Sequence, residues 1–188
     1  MLTLHQLDSF LTAARSSGWT VSRRAEPRDM SAPILVGRFG RIPVDYAFFL
    51  SHVTECVNEG QNAWFLTEAD YKAQDVPENT FRWNEWELIS LEACDGDVDL
   101  AKRVTDFWNA HLPIMSSVFS DYAYIAIRLS DGVVVYGYAP DFEEPSVVCQ
   151  SLAEFLVNLG DLLSGSQTAD VLWYSADMGD ARQYTDFT

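Results

Sequence analysis

The sequence predicts an α+β fold in which a mixed, mostly antiparallel sheet is flanked by helices. Three patterns support this class: a capped amphipathic helix near the amino terminus, an aromatic-rich hairpin centred on Ser130-Asp131-Gly132, and a second capped helix after that hairpin. The chain has 188 residues, of which 48% are hydrophobic. This length and composition suit one globular domain, residues 1–188, that buries a full core.

The first third of the chain is predicted to contain two helices with a strand between them. Thr3 and Gln6 form a capping box for the first helix, and Gly18 offers its C-cap. Residues 33–43 (PILVGRFGRIP) indicate a strand and a turn, and residues 43–53 indicate a second helix opened by its proline. The side chains expected to face inward are Leu4, Leu7, Phe10, Leu11 and Ala14 in the first helix and Tyr46, Phe49, Leu50 and Val53 in the second.

The middle of the chain mixes strand and helix signals. Residues 62–93 are expected to hold a short strand, a polar turn around Pro77 and a Trp-rich segment that leads into an apolar run. A further helix is predicted from its N-cap Asp99 to Pro113, which ends it. Its expected inward side chains are Leu100, Val104, Phe107 or Trp108, and Leu112.

The carboxyl-terminal part carries the clearest strand signals. Residues 121–129 and 133–139 form the predicted hairpin, and residues 146–149 indicate a brief third strand. In the following helix, Ser151 and Glu154 are expected to make a second capping box.

The net charge of −16 is unevenly distributed along the chain. Residues 1–45 hold six Arg against four acids, whereas residues 46–188 hold six basic residues against 24 acids. Because a negative field repels phosphate backbones and anionic lipids, we expect no nucleic-acid or membrane binding, and a basic protein partner would be attracted. The alternative is that the acidity serves solubility alone.

Three cysteines, Cys56, Cys94 and Cys149, stand far apart without a C-x-x-C pair. This spacing argues against a disulfide framework and against a zinc site. No basic segment followed by an apolar run opens the sequence, and no run of 18 apolar residues occurs. We therefore expect a cytoplasmic protein without a membrane span.

Three carboxylates, Asp141, Glu143 and Glu144, lie in a turn between an aromatic-rich strand and an apolar segment. A catalytic pair or a metal site would need these groups in one pocket with tuned pKa values, which the sequence does not indicate. A contact surface and a solvated turn both stay open as interpretations.

Other motifs give no catalytic or metal site. Asp95, Asp97 and Asp99 alternate as in a calcium loop, but Leu100 stands where that loop requires Gly. The three histidines lack metal-ligand spacing, and no nucleophile elbow, P-loop or dinucleotide fingerprint occurs. We expect no catalytic residue, no metal and no cofactor.

Two tryptophans stand close together in a segment that alternates with acids. Trp83 and Trp86 are interleaved with Glu85 and Glu87. Large aromatic side chains are usually buried, yet Trp is also favoured at interface hot spots, where neighbouring acids form a polar rim. For both tryptophans, core packing and partner contact stay open as interpretations.

Three segments together resemble the SUKH superfamily, which includes the fungal Smi/Knr-type cell-wall regulators. They read IPVDYAFFL, WNEWELISLEA and FWNAHLPIMSSVFSDYAYIAIRLSDGVVVYGYAPDFEEPSVVCQSLAEFLVNL, and the similarity covers residues 42–160. The basic amino-terminal part and the polar, acidic tail 165–188 lie outside it. The resemblance implies an α+β fold with a mixed sheet and no catalytic residue.

The resemblance also implies a function through protein contacts. Bacterial members are largely immunity proteins that neutralise a cognate toxin domain, often a nuclease, and fungal relatives act in cell-wall synthesis. We therefore expect an immunity protein whose partner is a basic toxin domain; the alternative is a regulatory scaffold without a toxin partner. The candidate partner-binding residues are Trp83, Glu85, Trp86, Tyr136, Tyr138, Asp141, Glu143 and Glu144.

Overall fold

A computed structural model describes residues 1–28, 33–72, 81–119 and 122–165. The helices are α1 (Leu4–Ser16), α2 (Pro33–Phe39), α3 (Val44–His52), α4 (Glu68–Lys72), α5 (Glu85–Ala93), α6 (Val98–Ala110) and α7 (Leu152–Leu163). The strands are β1 (Thr20–Arg23), β2 (Val53–Val57), β3 (Ala63–Phe65), β4 (His111–Ser117), β5 (Ala123–Arg128), β6 (Val134–Tyr138) and β7 (Ser146–Cys149). The predicted turn around Pro77 and, from residue 166 onward, the predicted tail lie outside these ranges.

The seven strands form one sheet in which each strand pairs with the next along the chain. All six pairings are antiparallel. The predicted α+β class is confirmed, although the described strands contain no parallel pair of the kind that a mixed sheet would have. Among the described strands, β1 and β7 lie at the two ends of this order.

Helices cover both faces of this sheet. Side chains alternate between the faces along each strand, so one strand contributes to the apolar cluster on each side. In β5, Ile125 and Ile127 join the apolar cluster under α1, α3 and α7, whereas Tyr124 and Ala126 join the cluster under α5 and α6. Strands buried on both faces read as continuous apolar runs rather than as alternating patterns.

Several local predictions are confirmed. Thr3 and Gln6 form the capping box of α1, and Gly18 follows the cap with a φ of +87°. Pro43 precedes the first residue of α3, and Tyr46, Phe49 and Leu50 are fully buried there as predicted; Val53 is also fully buried but is the first residue of β2. The cap of α7 is confirmed in part: Ser151 accepts from the Glu154 N–H, but the Glu154 carboxylate accepts from the Gln150 N–H, not from Ser151.

The strand predicted within residues 33–43 is wrong, because this segment forms helix α2. Pro33 occupies the first helical position, where its missing N–H has no cost. Leu35 is fully buried, and the next two residues, Val36 and Gly37, are both exposed, which fits a helix rather than an alternating strand. Gly40, with a φ of +73°, follows the helix.

The predicted end of the helix near residue 113 is also wrong. Helix α6 begins after its N-cap Asp97 and ends at Ala110, and residues 111–117 form β4, the buried central strand. Pro113 lies in this strand at a shift of register between Pro113 and Met115. Such an irregularity tolerates a residue without an N–H donor, so the proline does not end an element here.

Candidate protein-binding surface

The structure brings the two predicted binding segments together. Trp86 of α5 stacks with Phe142, and their ring centroids lie 5.3 Å apart. Phe142 stands between Asp141 and Glu143 in the acidic turn. The Trp-rich segment and the acidic turn are therefore neighbours on the face of the sheet that α5 and α6 cover.

Two of the eight predicted binding residues belong to the core. The exposed fractions of Trp86 and Tyr136 are 1% and 3%. Trp86 packs against Phe81 and Phe142, while Tyr136 lies in the cluster on the opposite face of the sheet. Because a buried ring offers no area to a partner, we leave both residues out of the contact surface.

Trp83 is half-buried between α2 and α4. Its ring contacts Phe39 of α2 and Tyr71 of α4, and the Arg38 guanidinium lies 5.5 Å from the ring centroid. Arg38 also donates two hydrogen bonds, of 2.6 and 2.7 Å, to the buried carboxylate of Glu87. This arrangement fastens α2 to α5, which is a structural use of the Trp segment.

Glu85, at the start of α5, also has an internal contact. Its carboxylate accepts a hydrogen bond of 3.1 Å from the Arg82 backbone N–H. This bond closes the turn that leads into α5, and an acid in the first turn interacts favourably with the helix dipole. Glu85 is partly exposed, so this contact stabilises the helix start without removing the carboxylate from solvent.

The acidic turn is attached to the core at two points. Trp108 Nε1 donates a hydrogen bond of 2.7 Å to Glu143 Oε1, and the Tyr124 hydroxyl donates to the Phe142 carbonyl. Asp141 and Glu144 are exposed. Glu143 thus attaches the turn to the core, and the other two acids face solvent.

Two exposed tyrosines lie beside this turn. Tyr138, at the end of β6, is 51% exposed, and Tyr122, just before β5, is 52% exposed. The Tyr122 ring lies 5.2 Å from that of Trp86, and its carbonyl accepts from the Ala139 N–H at 2.8 Å. Tyr138 projects from the opposite face, because it stands two residues after Tyr136 and its ring lies 5.6 Å from the Tyr136 ring. Tyr122, Asp141 and Glu144 form what we call the acidic-aromatic surface.

Sequence reasoning missed Tyr122. A signal was present, because Tyr122 stands two residues before Tyr124 and therefore faces the same side of the sheet. Its exposure depends on where β5 begins relative to α5, which residue spacing alone does not give.

The base of this surface is closely packed. Gly137 of β6 lies under the Tyr124 ring, and a Cβ atom at residue 137 would come within 2.5 Å of that ring. Burial raises the pKa of Tyr124, and the charge of Glu143 raises it further, so the hydroxyl stays protonated and continues to donate to the turn. The surface is thus preformed on a fixed support.

Within the four described ranges, no group of three or more His, Cys, Asp or Glu side chains could hold a metal ion. Cys56, Cys94 and Cys149 are unpaired and buried, and burial raises the pKa of the Cys56 thiol. Of the helices that the structure describes, none is both long and apolar enough to span a bilayer.

Comparison of the chain with family models, curated proteins and solved structures gives no match.

Proposed function

We propose that this chain is a non-catalytic protein-binding module that binds a basic partner through the acidic-aromatic surface. The observation that carries the proposal is the combination of the half-exposed Tyr122 with two exposed acids on the neighbouring turn, which Trp108 and Tyr124 fasten to the core. Tyrosine supplies large contact area with few rotatable bonds, and a preformed loop loses little entropy on binding.

The charge distribution supports a basic partner. Residues 46–188, which include this surface, hold 24 acids against six basic residues. A field of this sign accelerates encounter with a positively charged protein and repels other polyanions.

We further propose that the partner is a toxin domain and that the chain is its immunity protein. The resemblance of residues 42–160 to the SUKH superfamily supports this choice. Nuclease toxins present basic surfaces where they hold phosphates, so an acidic protein of this kind blocks the substrate path by covering it. Binding to a non-toxic cellular protein instead would favour a regulatory scaffold.

The test compares the proteins that the tagged wild-type chain captures with those captured by a variant carrying Asp141→Asn and Glu144→Gln. A second variant, Glu92→Gln with Asp161→Asn, makes the same change in net charge at exposed positions elsewhere. We expect a basic partner that the first variant loses and the second retains. Equal capture by all three proteins would contradict the assigned surface.

Two further measurements address the kind of partner. The association rate should fall as ionic strength rises, because salt screens exposed charges over a Debye length of about 8 Å at 0.15 M. The purified partner should arrest cells that lack this chain and spare cells that contain it. A partner without toxicity would overturn the immunity proposal while leaving the binding surface in place.

A further inference from the structure

Basic residues gather around one buried acid at the β1–β2 side of the fold. Glu68 of α4 has a side chain that is 8% exposed. Arg24 and Arg28 both donate to its Oε2, at 2.5 and 2.7 Å, and Lys72 donates to Oε1. Three cations thus share a single carboxylate.

The cluster carries an excess of positive charge. Burial acts to raise the pKa of Glu68, but hydrogen bonds from Lys72 and Arg28 outweigh burial and lower that pKa to about 2. Glu68 therefore stays ionised at neutral pH, which leaves two positive charges uncompensated within the cluster. Because the two guanidinium groups meet at one oxygen atom, their mutual repulsion is only partly offset.

These cations line an open cavity of about 250 Å³. Arg28 and Lys72 are 58% and 50% exposed, so their charged ends reach solvent at the cavity. Arg24 is only 15% exposed, and its buried Nε has no hydrogen-bond partner in the part of the chain that the structure describes. Thr54 also lies on the cavity wall.

We propose that this cavity binds a doubly charged oxyanion, a phosphate group or its equivalent. Guanidinium and ammonium groups are the side chains that proteins use for such anions, through short charge-assisted hydrogen bonds. A dianion would neutralise the excess charge of the cluster and relieve the repulsion between Arg24 and Arg28.

The site is separate from the acidic-aromatic surface and does not rest on the function proposed for it. Arg24 follows β1 and Thr54 lies in β2, whereas Tyr122 precedes β5 and the acidic turn follows β6. The overall charge of −16 opposes anion binding at long range. At physiological ionic strength, however, charges beyond about 8 Å are largely screened, so the nearby cations dominate.

The experiment titrates the full chain with inorganic phosphate, sulfate and acetate at constant ionic strength, with calorimetry as the readout. We expect saturable binding of phosphate and sulfate and at least several-fold weaker binding of acetate, which has one charge and a planar shape. Arg28→Gln and Lys72→Gln should each weaken phosphate binding about tenfold, since each removes one charge-assisted contact. Arg103→Gln, an exposed change of equal charge on α6, should leave binding unchanged.

Two additional measurements test the location of the site and the source of the phosphate group. Chemical-shift mapping on the wild-type protein should place the largest phosphate-induced changes at the backbone amides of Arg24, Thr54 and Thr67, whether or not the variants fold. Glycerol phosphate distinguishes the sources: tighter binding than inorganic phosphate indicates a phosphorylated small molecule, and weaker binding indicates the free ion. Absence of saturable binding, equal weakening by Arg103→Gln, or shift changes elsewhere would each overturn the site.

Discussion

Trp108 of α6 donates its indole N–H to the carboxylate of Glu143 at 2.7 Å, and this bond joins the acidic turn to the core. Trp108 itself is 2% exposed and packs against Tyr124, with 4.8 Å between ring centroids. Glu143 therefore has a different role from its two exposed neighbours in the turn. It sets the conformation in which Asp141 and Glu144 face solvent.

Replacement of Glu143 by Ala is expected to lower the free energy of unfolding by about 1–2 kcal/mol, because a buried indole N–H loses its acceptor. Glu143→Gln should cost less, since the amide oxygen can accept the same bond. Chemical denaturation of both variants measures the difference. Asp141→Ala, at an exposed position of the same turn, serves as the control and should fall within about 0.5 kcal/mol of wild type. Equal losses for all three would argue against the Trp108 contact.

Gly137→Ala is expected to destabilise the fold by about 1–3 kcal/mol, because the new Cβ would meet the Tyr124 ring at 2.5 Å. The ring cannot move without disturbing the hydrogen bond from its hydroxyl to the Phe142 carbonyl. The matched control is Gly37→Ala in the exposed part of α2, where no atom of the described residues, apart from the local helix backbone, lies within 4 Å of the added Cβ. That change should stabilise the protein by about 0.5–1 kcal/mol, so thermal unfolding of the two variants should shift in opposite directions.

The contribution of Glu68 to stability is expected to depend on pH. Its pKa is lowered from 4.5 to about 2 in the folded chain. A lowered pKa in the folded state stabilises above the unfolded value, so the contribution is complete above about pH 5 and disappears as the pH falls toward 2. Because Arg28 and Lys72 are half exposed and solvent screens them, we expect about 1–2 kcal/mol at neutral pH.

This dependence is measured by comparing wild type with Glu68→Gln across the range from pH 7 to about pH 2. Other carboxylates titrate in both proteins, so the difference between them isolates Glu68. The gap in unfolding free energy should narrow as the pH decreases. A gap that stays constant over this range would show that the carboxylate charge contributes nothing.

Local signals in the sequence predicted the elements that local chemistry determines. The capping box of Thr3 and Gln6 and the Ser-Asp-Gly turn at 130–132 each act within a few residues, and both are confirmed. Strand β4 was missed because Pro113 normally ends an element, and only the register of the neighbouring strands accommodates it. Strand β1, four residues long and partly polar, gains its structure from pairing with β2.

The candidate surface was predictable only in part, for a similar reason. Exposure of Asp141 and Glu144 follows from their position in a turn, and the structure places both in solvent. The burial of Trp86 and the exposure of Tyr122 depend on how α5 packs over the end of β5, which is a long-range contact. The structural role of Glu143 could not be predicted, because its hydrogen-bond partner, Trp108, lies 35 residues away in the sequence.

Tyr122 should contribute to partner binding with little effect on stability. About half of its surface lies in solvent, so Tyr122→Ala removes only part of a buried contact. Tyr138→Ala, at an equally exposed tyrosine on the opposite face of the sheet, is the matched control and should leave binding unchanged. At the centre of an interface, loss of a tyrosine costs about 2 kcal/mol or more of binding free energy, which corresponds to roughly a thirtyfold weaker Kd. Thermal unfolding and a binding titration with the captured partner separate the two effects.

Trp86→Ala tests the opposite case, a buried ring whose loss should affect stability and not the contact itself. Truncation of this buried ring should cost about 3–5 kcal/mol of stability and would reduce binding only through loss of folded protein. If Tyr122→Ala instead lowered stability as much as Trp86→Ala while the folded fraction still bound with full affinity, the Tyr122 ring would be structural. The partner would then contact another part of the chain.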